Sequence, residues 1–379
     1  MRPLHRCALL ALSMLLPPAL LKAAPLAAVR ELGQPDFTHF LPNRVDGRGL
    51  TAPTAVAFDR SRTPHGVWVL DTNNNRALGW RDQARASAGA PADVVLGQPD
   101  LLSSVCNAGG ISARSLCLVY SWYATSQNPG LTVDAEGNVW IADQTNYRVL
   151  GYRRPFETDA VADVVIGQAD LDHVVTPWEL DAQGKGITNG GGLAIDAAGN
   201  LFIVDVVRVV EVDRPFATDA RIDRVYGQSN VDTFDTFGDS EAESLARVPR
   251  PDSVAVDAAG RLYVSDLWSD RVLVWDEPLA LPGGAGPADH LLSQGGPHCD
   301  SNGCFNAKGI AVEPDGDLWV GDAALGKLFG YRAPFGPGGD ATPDVVLASL
   351  NRWPVAGQIY EPRSTSQGEP LLAGGRLAV

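Results

Sequence analysis

Three histidines in this chain stand in similar surroundings, so they could act together as metal ligands. His39 and His173 each follow the glutamine of a Gly-Gln pair by five residues, and His298 follows a glutamine by four. Three histidines around an open coordination position form a typical catalytic zinc site. The spacing therefore makes a metal-dependent lyase or hydrolase one function to test. The alternative is three unrelated histidines in exposed loops, and we favour it because that is the commoner situation.

Large aromatic side chains in loop segments are a second group with a functional interpretation. The candidates for ligand recognition are Trp122, Tyr123, Trp178, Trp268 and Trp353. Aromatic rings offer large, rigid contact surfaces to a protein or a sugar. Alternatively, these rings pack between loops as small satellite cores. That alternative suits Trp122 and Tyr123 best, because they follow Cys117 closely in the sequence.

The N-terminus has the pattern of a secretory signal. Arg2 and Arg6 precede an apolar run at residues 8–21 that is short for a membrane span. We predict a signal peptide at residues 1–28 and a secreted, periplasmic or cell-envelope location, with an uncleaved anchor as the alternative. Removing residues 1–28 takes away three basic residues and no acidic ones, so the net charge moves from −15 to −18. So acidic a chain is not expected to bind nucleic acid.

Four cysteines lie beyond the predicted signal: Cys106, Cys117, Cys299 and Cys304. An even number of cysteines in an exported chain indicates disulfides. Three pairings are available in principle. We favour Cys106 with Cys117 and Cys299 with Cys304, because each of these pairs falls within one loop.

A repeated four-strand unit positions these candidate residues. Asn128–Leu171 contains four short runs rich in Val, Ile, Leu, Trp or Tyr, which suit half-buried strands. Between the first two runs stands AEGN, a tight-turn composition. Related sequence recurs four times along the chain, at Ala55–Asp71, Gly192–Asp205, Ser253–Asp266 and Gly309–Asp322. A four-strand period of this size indicates a radial array of sheets.

An aspartate ends the second run of each copy, and an arginine often follows it. The clearest pairs are Asp71 with Arg76, Asp143 with Arg148, and Asp266 with Arg271. One interpretation is a charged ring around a ligand. Because the pair recurs in most copies, we interpret it instead as a structural ion pair that fixes the hairpin.

The Gly-x-x-Val/Ile-Asp start, the Leu/Val-aromatic-Val/Ile-x-Asp second strand and the following Asn-x-Arg resemble NHL repeats. These repeats build a family of β-propellers, so the resemblance implies that fold for nearly the whole mature chain. It implies little about activity, because propellers include enzymes, nucleic-acid binders and protein binders.

We therefore predict an all-β, six-bladed β-propeller of four-stranded antiparallel blades over residues 29–379. Five complete blades are expected at residues 51–100, 128–171, 190–231, 251–296 and 308–350. The sixth would be shared, with residues 29–37 as its fourth strand and residues 359–379 as the remainder. Closure by the N-terminal strand would remove exposed sheet edges, and we expect a monomer.

Alternating strand direction assigns the long insertions, the Asp–Arg hairpins and both predicted disulfides to one face. We predict that this face serves as an interaction module for a protein, sugar or other small ligand, without a membrane span in the mature chain. The alternatives are a metal-dependent lyase or hydrolase near the propeller axis and a purely structural envelope protein. Any cofactor is left open. Ca²⁺ in a central channel, held by Asp134, Asp196, Asp257 and Glu313, is the first candidate, and Zn²⁺ is less expected.

Overall fold

The computed structural model of this chain is a β-propeller with five blades. Each blade is one sheet of four antiparallel strands in sequence order. The residues that the structure describes are 32–33, 43–118, 128–176, 186–231, 244–267, 269–284, 286–293, 307–322 and 326–348. Blades 1 to 5 are numbered in chain order.

The strand bounds are as follows. Blade 1 contains β1 (Pro53–Asp59), β2 (Gly66–Asp71), β3 (Arg76–Trp80) and β4 (Val94–Leu96), with a short helix α1 (Gln83–Ser87) before β4. Blade 2 contains β5 (Leu131–Val133), β6 (Val139–Asp143), β7 (Arg148–Tyr152) and β8 (Val164–Ile166). Blade 3 contains β9 (Gly190–Ile195), β10 (Leu201–Asp205), β11 (Arg208–Val212) and β12 (Arg224–Tyr226). Blade 4 contains β13 (Pro251–Val256), β14 (Leu262–Asp266), β15 (Arg271–Trp275) and β16 (His290–Ser293). Blade 5 contains β17 (Ala307–Val312), β18 (Leu318–Asp322), β19 (Lys327–Tyr331) and β20 (Val345–Ala348).

The predicted number of six blades is wrong, because the described residues form five four-stranded sheets. The sixth blade was inferred from the match of residues 29–36 to the residues around β4 and from strand-like runs in residues 359–379. Of the N-terminal match the structure describes residues 32–33, which form a bend. Gly33 and Gly97 both have positive φ, and each turn packs against the residue that precedes the next blade, Leu50 or Leu116. The predicted closing strand at residues 29–37 lies almost wholly outside the described residues, and residues 359–379 lie entirely outside them.

Consecutive blades are adjacent through their first strands, which run side by side from β1 to β5, β9, β13 and β17. The second and third strands of blades 1 to 4 are buried along their whole length. Neighbouring blades cover both faces of blades 2 to 4, whereas blade 1 packs on blade 2 with one face and on α1 and its own loops with the other. This explains why their sequences are almost continuously apolar instead of alternating.

A recurring aromatic contact joins the blades. In blade 1 the Trp68 ring lies over Gly79 of the next strand, where an added Cβ would be 2.5 Å from the ring. Phe156 of blade 2 stacks on Trp68 with ring centroids 4.4 Å apart, and the Arg81 guanidinium lies 5.5 Å from the Phe156 centroid. Blade 2 repeats the arrangement with Trp140 against a phenylalanine of blade 3. Glycine is required here because the tryptophan occupies the space of a side chain.

The acidic residues that end the first strands cap their own turns. Asp134 Oδ1 accepts hydrogen bonds from the N–H groups of Glu136 and Asn138 at 3.0 and 2.8 Å, and Oδ2 accepts one from the Asn138 amide. Asp196 and Asp257 make the equivalent turn bonds. Glu313 accepts the indole N–H of a tryptophan in the next strand. The carboxylates suggested for calcium in the channel therefore bond within their own hairpins.

Candidate binding face

The face that carries the loops between blades and the Asp–Arg hairpins is called the insertion face. Most of the predicted functional residues lie outside the described residues, namely His39, His298, Trp122, Tyr123, Trp178, Trp268, Trp353, Cys299 and Cys304. His173 is described. Its side chain is exposed, and its Nδ1 lies 2.9 Å from Asp170 Oδ1. The zinc hypothesis and the aromatic-surface hypothesis therefore remain predictions.

The Asp–Arg pairs lie at the base of this face. In blade 2, Arg148 Nε donates to Asp143 Oδ2 at 2.8 Å, and both side chains are fully buried. Asp71 and Arg76 repeat this geometry in blade 1. In blade 4, Asp266 and Arg271 are 3.0 Å apart.

The arginines of blades 1 and 2 also hold the loops on both sides of their blade. Arg148 Nη1 donates to Leu171 O in the outgoing loop, and its Nη2 donates to Ser112 O and Ser115 O in the incoming loop. In blade 1, Arg76 makes the same kind of bonds to the carbonyls of Leu101, Asp46 and Gly49. These bonds tie two insertions to one buried cation, a geometry that fits a structural role.

The aspartate of the pair accepts further hydrogen bonds. Asp143 Oδ1 accepts the Cys117 N–H at 2.8 Å, and its other oxygen accepts the Asn146 amide. Burial raises the pKa of Asp143, while Arg148 and these hydrogen bonds act to lower it. The carboxylate is thus enclosed by donors on every side, as a buried charge requires.

Sequence reasoning missed some members of this network. Arg208 follows Asp205 by only three residues, yet the short hairpin between them still brings Arg208 Nε to 3.0 Å from Asp205 Oδ2. Asn107 and Asn146 exchange two side-chain hydrogen bonds across neighbouring segments. A signal was available for the second feature, because an asparagine stands three residues after the aspartate in both of the first two copies.

Residues 98–118, called the braced loop, are held in place by a disulfide and by several side-chain hydrogen bonds. The predicted disulfide between Cys106 and Cys117 is confirmed. Gln98 Nε2 donates to Asn75 O and Val105 O at 2.8 and 2.9 Å, so this glutamine bonds within its own blade and its own loop. The Asn75 side chain in turn bonds to backbone groups at both ends of the loop.

Two apolar side chains project from the braced loop into solvent. Leu102 is 72% exposed and Val105 is 66% exposed, the two largest exposures among the large hydrophobic residues that the structure describes. The backbone beside them is held firmly. The Leu102 N–H donates to Asp100 Oδ1 at 2.8 Å, and the carbonyl of Leu101 accepts Arg76 Nη1 at 2.7 Å. Apolar side chains on a rigid support suit a protein–protein contact.

Comparisons with known proteins identify similar folds. No family model matches the sequence, and no match is found among curated proteins. The resemblance to NHL repeats therefore remains a prediction. Among solved structures, a streptogramin B lyase has 12% identity and a TM-score of 0.43, with 77% of this chain and 67% of that chain covered.

Two other solved structures are also similar to this chain. Virginiamycin B lyase from Staphylococcus aureus has 12% identity and a TM-score of 0.41, with 74% of this chain and 66% of that chain covered. A chain of a nidogen–laminin complex has 14% identity and a TM-score of 0.37, with 65% of each chain covered. This chain thus spans about two thirds of the length of each. At such identities and TM-scores, these likenesses carry no argument about activity.

No helix within the described ranges is long and apolar enough to cross a membrane.

Proposed function

We propose that this protein is an exported NHL-type propeller that acts as a binding module, recognising a protein partner through its insertion face. The observation that supports this most directly is the pair of exposed apolar side chains, Leu102 and Val105, on the braced loop. Burying each of them against a partner would contribute about 1.5–3 kcal/mol.

The rigidity of the loop adds to the proposal. A loop that is already ordered loses little conformational entropy when it binds, so more of the gain from burial appears as affinity. Arg76 bonds to the braced loop near its start and Arg148 bonds to it near its end, and the disulfide links its middle to its end. A loop that served only as a connection would not need both restraints.

The net charge of this chain and its expected compartment limit which kinds of partner are expected. The chain carries a formal net charge of −15, so a partner with a basic rim around an apolar recess would be favoured electrostatically. The disulfide fits an oxidising compartment, which agrees with the predicted signal peptide. The partner is therefore expected in the periplasm, in the cell envelope or outside the cell.

The test compares two variants that remove exposed apolar groups from different places. Leu102→Asn combined with Val105→Thr makes the braced loop polar while keeping side-chain size. Val346→Thr is the matched control, since Val346 is 48% exposed on the outer strand of blade 5, away from the loop. Each protein is immobilised and exposed to envelope and secreted fractions of the source cells, and retained proteins are quantified by mass spectrometry.

We expect one partner to be retained by wild type and by Val346→Thr, and to fall about tenfold or more with the loop variant, since two hydrophobic contacts are lost. Equal retention by all three proteins would contradict the proposal. So would a wild type that retains nothing above the level of an unrelated acidic protein.

A further inference from the structure

One row of residues across the blades departs from a common pattern in two blades. In blade 4 it reads Tyr263, Val274 and His290, and in blade 3 it contains an acidic and a basic residue. In blades 1, 2 and 5 this row reads Trp, Gly and Val on the second, third and fourth strands: Trp68–Gly79–Val94, Trp140–Gly151–Val164 and Trp319–Gly330–Val345. In blade 3 the paired residues are Phe202, Glu211 and Arg224. Glu211 thus stands at the glycine position, and Arg224 stands at the valine position. The repeat does not require this change, so the row calls for a separate explanation.

Glu211 is buried with only part of its carboxylate satisfied. Its side chain is 0% exposed, and Oε2 accepts Arg224 Nη1 at 2.7 Å. The same nitrogen lies 2.8 Å from Asp213 Oδ1. The other oxygen, Oε1, is buried and has no hydrogen-bond partner among the described residues. A buried carboxylate oxygen without a donor is costly, so a native fold normally supplies one.

Two more carboxylates lie close to that of Glu211. Glu211, Asp213 and Asp223 each offer one oxygen, and these oxygens all lie within 4.8 Å of one another. Asp223 uses Oδ2 to accept the Asp213 N–H at 2.8 Å, and Arg224 takes one oxygen each from Glu211 and Asp213. Each carboxylate in the group thus has one oxygen in a hydrogen bond or ion pair, and Glu211 Oε1 has no hydrogen-bond partner among the described residues. Asp223 is exposed, so the group is open to solvent on one side.

We propose that Glu211, Asp213 and Asp223 form a binding site for a divalent cation that prefers oxygen ligands, with Ca²⁺ as the best fit. Ca²⁺ takes six to eight oxygen ligands, carboxylates and waters among them, at about 2.3–2.6 Å in flexible geometry, so three carboxylates in an irregular arrangement suit it. Mg²⁺ demands a tighter octahedron with ligands at about 2.1 Å. Water would complete the coordination on the open side, and Arg224 would hold the carboxylates in place.

This site is separate from the insertion face and from the channel. It lies where the third strand of blade 3 ends and the fourth begins, in the loop between them. The proposal does not depend on the binding function proposed above. A cation there would join the end of β11 to the start of β12.

Blade 4 supplies a natural control. Its corresponding loop has the same backbone bond, from Asp276 N to Asp289 Oδ2 at 2.9 Å. Val274 stands where blade 3 has Glu211, so this loop lacks the third carboxylate. Asp276→Asn therefore removes a carboxylate at the matching position without touching the proposed site.

The experiment is calorimetric titration of the full chain with CaCl₂ after chelator treatment, with melting temperature as a second readout. We expect one Ca²⁺ per wild-type chain and a rise in melting temperature on binding. Glu211→Gln keeps the shape of the side chain and should weaken binding about tenfold or more. Asp213→Asn, at a partly exposed position, should do the same and serves if Glu211→Gln fails to fold. Asp276→Asn should leave the affinity within about twofold of wild type.

The proposal is overturned if wild type gives no saturable Ca²⁺ binding, or if Glu211→Gln and Asp213→Asn both bind as wild type does. It is also overturned if Asp276→Asn weakens binding as much as the blade 3 variants, because that result would mean only a general response to negative charge.

Discussion

Replacing Arg148 by methionine should destabilise the whole propeller, because this residue joins three parts of the chain at one buried point. Its guanidinium donates to Asp143 and to carbonyl groups of both flanking loops, and its side chain is 0% exposed. Methionine fills much of the same volume but donates nothing. Asp143 then keeps its charge in the interior without a cation, and the loop carbonyls lose their donors.

The magnitude follows from the burial of the pair. Removing one partner from a fully buried ion pair costs about 3–5 kcal/mol, mainly because the remaining charge is left uncompensated. We expect the free energy of unfolding of Arg148→Met to fall by about 4 kcal/mol. For a chain of this length, the melting temperature should fall by about 5 °C.

A double variant separates the ion pair from the rest of the network. Asp143→Asn with Arg148→Met removes both charges, so the interior no longer contains an unpaired carboxylate. We expect it to recover about 1–3 kcal/mol relative to Arg148→Met alone, as contacting charged residues usually couple. The measurement is denaturant unfolding followed by circular dichroism and by tryptophan fluorescence, with calorimetry for the melting temperature.

The control is Lys327→Met in blade 5. Lys327 faces Asp322 at the same register position at which Arg148 faces Asp143, but its side chain is less buried. This variant should cost less than about 1 kcal/mol. The reasoning fails if Arg148→Met costs no more than Lys327→Met, or if the double variant is no more stable than Arg148→Met.

Three further predictions concern other parts of the fold. Cys106→Ser opens a loop closed by a disulfide across a sequence separation of 11, and should lower the free energy of unfolding by about 3 kcal/mol, measured by denaturation. Gly79→Ala pushes a methyl group into the Trp68 ring and should cost about 1–3 kcal/mol in the same assay. Burial tends to raise the pKa of Asp93, but a backbone hydrogen bond and the ion pair with Arg85 lower it further than burial raises it. Stability from Asp93 is therefore present above its unfolded pKa of about 3.9 and is lost as pH falls through the lower folded value, so Asp93→Asn should lower the melting temperature at pH 6 and have little effect in strong acid.

Each of these predictions has a comparison that can contradict it. Cys106→Ser combined with Cys117→Ser should unfold like Cys106→Ser alone, because each removes the same disulfide, and a further loss of more than about 1 kcal/mol in the double variant would point away from the disulfide. Gly321→Ala is the partner for Gly79→Ala, since an added Cβ there meets nothing closer than 3.6 Å. Equal costs for both alanine variants would refute the clash argument. For Asp93→Asn, a fall in melting temperature that is as large in strong acid as at pH 6 would contradict the predicted pH dependence.

The sequence predicted the four-stranded blade correctly but not the number of blades. Strand runs, turn glycines and the Asp–Arg positions are local, and each appears where a repeat of four strands requires it. The count depended on matching residues 29–36 to the residues around β4 and on strand-like runs in residues 359–379. Gly33 and Gly97 both have positive φ, so the match reflects a shared turn, and a turn motif does not show which strands pair.

The candidate binding and cation sites show a different limit. Leu102 and Val105 are ordinary apolar residues in the sequence, and only their high exposure on a fixed backbone distinguishes them. Glu211 could have been noticed, since RVVEV in blade 3 aligns with RVLGY in blade 2 and places a glutamate where a glycine is expected. Its meaning nevertheless depends on Asp213 and Asp223, which become neighbours only when the strands pair.

The most direct test of the binding proposal is a photo-crosslink from the braced loop in the source cells. A photoreactive amino acid is placed at Leu102 in one protein and at Val346 in another, and adducts are identified by mass spectrometry after irradiation. The proposal predicts one discrete protein adduct at Leu102 and none at Val346. The absence of any adduct at Leu102, or the same adducts at both positions, would contradict the claim that the insertion face binds a protein partner.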